Sequence, residues 1–179
     1  MTTPTTAAPL LFDFLDHSHQ QLQRQLGVLK RLARQLAQDE LTARERDELR
    51  QVIAWFNTDA RQHHLDEEKH VFPALLESSD EHVVHTTRRL RQDHGWIEEN
   101  WLELAPSLEA AAGGYSWFDR DTLAHGVAVF EQLCLDHLVL EESLAYPEAR
   151  ERIHPADLER AGVEMARRRA EREARSAKR

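Results

Sequence analysis

The stretch His63-His64-Leu65-Asp66-Glu67-Glu68-Lys69-His70-Val71-Phe72-Pro73 returns seventy-four residues later as His137-Leu138-Val139-Leu140-Glu141-Glu142-Ser143-Leu144-Ala145-Tyr146-Pro147. Each copy has a histidine, a carboxylate four residues on, a second carboxylate beside it, and then an aromatic residue before proline. Four residues of helix advance ~6 Å and leave only ~40° of angular offset, so His63 and Glu67 reach toward one point, as do His137 and Glu141. Polar pairs of this kind sit inside otherwise apolar stripes. His63 follows Phe56 and Ala60 by seven and three residues, and His137 continues the step from Phe130 and Cys134.

Working outward, the apolar spacing predicts four long helices. The first runs from about Leu10 to Gln38, with Leu11, Leu15, Leu22, Leu26, Leu29 and Leu36 on its seam. Thr42 and Glu45 form a capping box for the second, which carries Leu49, Val52, Ile53, Phe56 and Ala60 inward to about Leu76, where Pro73 should kink or end it. Ser78-Ser79-Asp80 turns the chain into a third helix, with Leu90, Ile97, Trp101, Leu104 and Leu108 inward. Pro106 should disturb its last turns before Gly113-Gly114 stops it. Asp119 or Asp121 caps the fourth helix, whose seam Leu123, Val127, Phe130, Cys134 and Leu144 closes at Pro147. Long helices with short loops predict an all-α, antiparallel up-down-up-down four-helix bundle. Residues 10–154 form the bundle, 1–9 a flexible N-terminus, and 155–179 a charged C-terminal helix or disordered tail.

Composition agrees with a helical domain: charged residues make up 31% of 179 residues, and aromatics only 7%. The formal charge of −9 argues against nucleic acid as a partner. From Pro155 onward eight Arg/Lys face five Asp/Glu, so the preceding residues carry about −12 and the tail reads as a solvated extension. No apolar run approaches the ~20 residues of a membrane helix. Met1–Pro9 has no basic, apolar leader, and Cys134 is the lone cysteine. A cytoplasmic protein without membrane attachment is expected.

Placing each histidine on its helix selects one per helix. His94 lies between Leu90 and Ile97 on the third. On the first, His19 has Leu15, Leu22, Leu26 and Leu29 at −4, +3, +7 and +10, whereas His17 has Asp13, Gln20, Arg24 and Gly27. The inward polar set is therefore His19, His63, Glu67, His94, His137 and Glu141, with no lysine or arginine on those faces to neutralise the carboxylates. Buried histidines and carboxylates need partners, and four imidazoles with two shared carboxylates suit two metal ions. A solvent-derived oxo or hydroxo bridge would add a fifth ligand to each and leave one position open. Nitrogen and oxygen donors without thiolate, and more than four per ion, favour iron over tetrahedral zinc.

Of the other polar residues, Glu68 and Glu142 are placed to accept hydrogen bonds from ligand imidazoles. His64 stands one step off the core face, His70 one turn beyond Glu67 on nearly the same face, and Glu98 four residues after His94; all three are weaker ligand candidates than the six. His82, His85, His125 and His154 read as surface residues. Cys134 reads as a small core residue, Trp96 and Trp117 as packing residues, and Trp101 as a shield against water.

Asp16-His17-Ser18-His19, His63–Pro73, Gln92-Asp93-His94 and His137–Pro147 together resemble the hemerythrin-like, histidine-histidine-glutamate cation-binding domains. The likeness covers about residues 10–150. It implies an antiparallel four-helix bundle around a non-haem di-iron centre that meets dioxygen, nitric oxide or peroxide. Carried over position by position, the ligands are the same six residues. Oxygen-carrying hemerythrins use a further histidine on the third helix, where this chain has Glu98. The four-histidine, two-glutamate set is closer to the iron–sulfur cluster repair branch, whose N-terminal cysteine segment is absent here. The resemblance implies binding or sensing of dioxygen or nitric oxide. The alternatives are a redox enzyme reducing nitric oxide or peroxide, iron release for cluster repair, and a metal-buffering or empty helical module.

Overall fold

The computed structural model describes residues 10–176, and every element in it is helical. The segment 1–9, expected to be flexible, and residues 177–179 lie outside the described residues. Helix α1 spans Leu11–Gln38, with the Asp13 carboxylate accepting from the Leu10 N–H at 2.7 Å. The second rod is built from α2 (Ala43–Trp55), a π turn (Phe56–Ala60), α3 (Arg61–His70) and α4 (Phe72–Leu76). The capping box is present: Thr42 Oγ1 accepts from Glu45 N–H at 3.3 Å, and Glu45 accepts from Thr42 N–H at 2.8 Å. Helix α5 (Glu81–Gly113) starts at Asp80, whose carboxylate accepts from His82 N–H, and ends at Gly114 with φ 81°. That left-handed conformation is one that glycine adopts without a Cβ penalty. Helix α6 (Arg120–Leu140) is capped by Asp119 and continues through a second π turn (Glu141–Ala145) into α7 (Tyr146–Arg152).

Two proline expectations are corrected. Pro106 lies inside α5, which runs on to Gly113. The carbonyl a proline leaves free is that of the residue four earlier, here Leu102, on an exposed face where water can serve it. Pro147 does not close the fourth rod either. It is the second residue of α7, where the missing N–H belongs to a first turn, and helix persists to Arg152.

Packing runs around a ring: α1 against α2, α2 against α5, α5 against α6, and α6 against α1. The buried side chains form two apolar clusters. One holds Leu22–Leu36, Leu49–Phe56, Ile97–Ala112 and Leu123–Leu138; the other holds Leu11–Leu15, Val71–Leu75, Val83–Leu90 and Ala145–Ala149. On every rod a short polar interval separates them, at His19, at His63–Glu67, at His94 and at Glu141. Every seam leucine expected on α1 is buried, whereas Leu144 is only partly so, its place being taken by Ala145 and Tyr146. The run Arg120–Arg152 is long and apolar enough by composition to cross a bilayer, but its inner face carries His137 and Glu141 and packs on α1 and α5.

The charged tail is not a free extension. Among the described residues it is one helix, α8 (Pro155–Ser176), packed against α1 with Ala161 and Met165 in the second apolar cluster. Charged contacts flank that seam: Arg168 with buried Asp66 at 2.7 Å, Arg172 with Asp59 at 2.7 Å, and Lys69 with Glu164 at 2.5 Å. The Arg169 guanidinium lies 4.6 Å from the centre of the Phe14 ring. Met165 is only 2% exposed, so Met165→Ala is expected to cost about 2–5 kcal/mol in denaturant unfolding. A cost under about 1 kcal/mol would mean that α8 does not dock in solution.

Candidate metal centre

All six inward side chains expected from periodicity meet in the polar layer, each buried. Their histidines present the same atom. Nε2 of His137 lies 3.0 Å from Glu141 Oε1, and Nε2 of His19 3.3 Å from Glu141 Oε2. Nε2 of His94 is 3.4 Å and Nε2 of His63 3.5 Å from Glu67 Oε2. The donors sort into two groups, His19–His63–Glu67–Glu141 and His94–His137–Glu67–Glu141, each with atoms within 4.8 Å of one another. Both carboxylates belong to both groups.

Hydrogen bonds do not account for this layer. Glu67 Oε2, both Glu141 oxygens, His94 Nε2 and both His137 nitrogens are buried without a hydrogen-bond partner. Buried polar atoms are nearly always paired, and lone pairs converging on common points form the nitrogen and oxygen donor set of a transition metal. The residues fit a pair of cations.

The outer edges of the rings support the same orientation. The Nδ1 of His19 meets Glu142 Oε1 at 3.1 Å, and the Nδ1 of His94 meets Glu68 Oε1 at 2.9 Å. His137 Nδ1 lies 3.8 Å from Asp93 Oδ2. A proton held at Nδ1 by a carboxylate leaves Nε2 as the free lone pair. Glu68 and Glu142 thus take the outer positions expected of them, and Asp93 is an addition. His63 Nδ1, like His137 Nδ1, has no hydrogen-bond partner, and its ring lines a crevice of about 310 Å³ beneath Arg168 and Arg169 of α8.

Other residues fall outside the two groups. His70 turns toward Glu164 of α8 at 3.8 Å, and Glu98 pairs with Arg61 at 2.7 Å. His17, His82, His85, His125 and His154 are exposed. Cys134 is buried in the first apolar cluster, and burial pushes its thiol up to about 12. Trp101 is buried against Phe56 and donates to Asn57 Oδ1 at 2.7 Å.

One site residue was not anticipated. The buried Tyr146 hydroxyl donates to Glu67 Oε1 at 2.5 Å and lies 2.9 Å from His19 Nε2, while its ring stacks on His19 with centroids 4.9 Å apart. Tyr146 is five residues beyond Glu141. In an α-helix that step leaves the face, but the π turn Glu141–Ala145 widens the register so that i+5 returns to it. The only sequence signal is the repeated aromatic-proline pair.

Charge in the layer is strongly coupled. Burial opposes charge on His19 and on His94, but Glu141 and Glu67 outweigh it and raise both to about 10. Burial likewise opposes charge on His137, and Glu141 with Asp93 lifts it to about 9. In return His137, His19 and His94 hold the Glu141 carboxyl well below the usual range despite its burial. Burial lowers His63 and lowers His64 further.

Residues 10–149 match the profile of the hemerythrin HHE cation binding domain. An uncharacterized protein of Haemophilus influenzae is 30% identical over 98 residues, 55% of this chain and 55% of that protein. The chain thus spans about half the length of that curated relative.

The histidine shifts set a pH dependence for metal-free protein. His19, His94 and His137 keep their protons in the folded state up to about 9–10, but only to 6.5 when unfolded. Their stabilisation is complete below 6.5 and is lost as pH rises through their folded values. His63 and His64, depressed below 6.5, are neutral in both states over that range and add no slope. The thermal midpoint of metal-free protein is expected to fall between pH 6.5 and 10; a flat profile would contradict the protonated network.

Proposed function

Because the chain belongs to the hemerythrin HHE cation-binding domain family, we propose that it is a non-haem di-iron protein that binds or senses dioxygen or nitric oxide. The observation that carries this is the sharing of Glu67 and Glu141 between two histidine pairs. His19 and His63 would hold one ion, His94 and His137 the other, with the carboxylates common to both. Nitrogen and oxygen donors without a thiolate favour iron. Bound iron would supply a redox-active pair able to take up a small diatomic ligand.

The remaining work falls to the chain. Glu142 and Glu68 hold the imidazole protons of His19 and His94 on the outer nitrogens, Asp93 faces His137 Nδ1 at 3.8 Å, and in metal-free protein the Tyr146 hydroxyl donates to one Glu67 oxygen. The two apolar clusters close the layer from above and below, which supports reading the four rods as an antiparallel up-down-up-down bundle: α1 and α5 leave the second cluster for the first, and the other two rods return. An apolar cavity of about 70 Å³ between Phe56, Ile97, Trp101 and Phe130 reaches His64. That is far below the ~300 Å³ of ordinary organic-ligand pockets and suits a diatomic molecule. The acidic chain, at −9, favours neither nucleic acid nor an anionic membrane as partner. We place the protein in the cytoplasm, a reading its lone buried cysteine permits.

A second reading is reductive consumption of nitric oxide or peroxide, or iron release for cluster repair. Its support is Tyr146, a buried hydroxyl within the donor layer itself.

Anaerobic loading with Fe(II) is expected to give two irons per chain, one for each donor group. Exposure to air should then produce a charge-transfer absorption that reverses on deoxygenation. Rapid bleaching with peroxide turnover would favour the second reading. Glu141→Ala is expected to lower iron content and the thermal midpoint together, since metal at a hundredfold over its Kd adds about 2.7 kcal/mol. Purified protein with no iron and an unchanged midpoint in the variant would identify an empty helical module.

A further inference from the structure

The two donor groups are related by the sequence repeat but are not alike. Superposing His63–Pro73 on His137–Pro147 pairs Phe72 with Tyr146 and His64 with Leu138. Each aromatic stacks on a histidine of the opposite group: Phe72 on His94 with centroids 5.3 Å apart, Tyr146 on His19 at 4.9 Å. Only Tyr146 carries a hydroxyl, and that hydroxyl stands among the donors of the His19–His63 group.

The opposite group has its own addition. The His64 ring stacks on His94 with centroids 4.0 Å apart and lies 5.8 Å from His137. One nitrogen from each of His64, His94 and His137 falls within 4.8 Å of the others. Leu138, the counterpart of His64, is buried in the first apolar cluster and offers no donor.

We propose that the two cation positions are chemically inequivalent, the His19–His63 position gaining an oxygen donor from Tyr146 and the His94–His137 position being backed instead by the His64 ring stacked on His94. This rests on the metal-centre reading above. Ligation by Tyr146 forms a metal–oxygen bond and breaks the O–H bond, the proton passing to solvent as it does for other ligands that bind metal deprotonated. His64, stacked face to face on His94, does not aim its in-plane lone pair at the same ion; it holds the His94 ring in place and moves no proton. The oxygen-rich position then prefers the harder, more oxidised ion, and the imidazole-rich position the softer divalent one. The ions fill in sequence rather than as an equal pair.

The test takes full-length metal-free protein, titrates it anaerobically with Fe(II) and separately with Zn(II) by calorimetry, and compares Tyr146→Phe and His64→Leu. Each substitution borrows the residue of the opposite half. The native chain should show two steps about tenfold or more apart, and each variant should weaken one step, a different one, by about tenfold. After oxidation of the Fe(II)-loaded protein by dioxygen in air, the native chain should carry a visible phenolate-to-iron(III) absorption that Tyr146→Phe abolishes. That signature needs only the native chain to be seen, so it stands even if a variant folds poorly. A single step of two equal sites, variants that weaken both steps alike, or no phenolate band overturns the inequivalence while leaving the metal centre intact. Failure of the native chain to bind either metal overturns the metal-centre reading itself.

Discussion

Glu67 and Glu141 are fully buried, at 0% exposure, between two apolar clusters. An ionised carboxylate in such a place costs several kcal/mol unless positive charge and hydrogen bonds meet it. The rest of the molecule answers that constraint. Four imidazoles turn the same nitrogen toward the pair, and two of them, His19 and His94, are oriented from behind by Glu142 and Glu68. The tyrosine hydroxyl serves one further oxygen. Among the described residues no lysine or arginine reaches the layer, so in metal-free protein protons on His19, His94 and His137 supply the counter-charge. Metal ions and protons therefore compete for one set of lone pairs.

Helix irregularity is concentrated where the constraint acts. One π turn, Phe56–Ala60, ends just before His63, and the other, Glu141–Ala145, begins at a site carboxylate. A π turn inserts a residue relative to α geometry and re-aims the side chains beyond it. In the fourth rod it turns Tyr146, rather than Leu144, into the layer. Pro73 and Pro147, further along the same rods, sit in first turns where a missing N–H costs little. The repeat thus preserves the proline of a first turn along with the ligand types, while the two π turns fall at different places in it.

Helix α8 binds the other side of the second rod. Arg168 neutralises buried Asp66, next to Glu67 in sequence, and α8 roofs the crevice reached by His63. Lengthwise the tail is highly charged, yet its inner seam holds Ala161 and Met165 in apolar packing. Net charge described its outer face and said nothing about that seam.

Much of the site was legible because helical spacing is a local property. The steps of three and four around His19, His63, His94 and His137 placed each on a core stripe, and the i,i+4 glutamates came from the same geometry. The family likeness rested on those residues and was borne out. What the sequence could not determine depends on register between rods and on departures from the α period. The bond from His19 to Glu142 joins residues 123 apart, and the Tyr146 contact with Glu67 needs a π turn that no residue type announces. The His64–His94–His137 cluster, the docking of α8 and the persistence of helix through Pro106 likewise emerged only from tertiary packing. Periodicity tells which side chains leave the solvent; the placement of neighbouring backbones decides which atoms then meet.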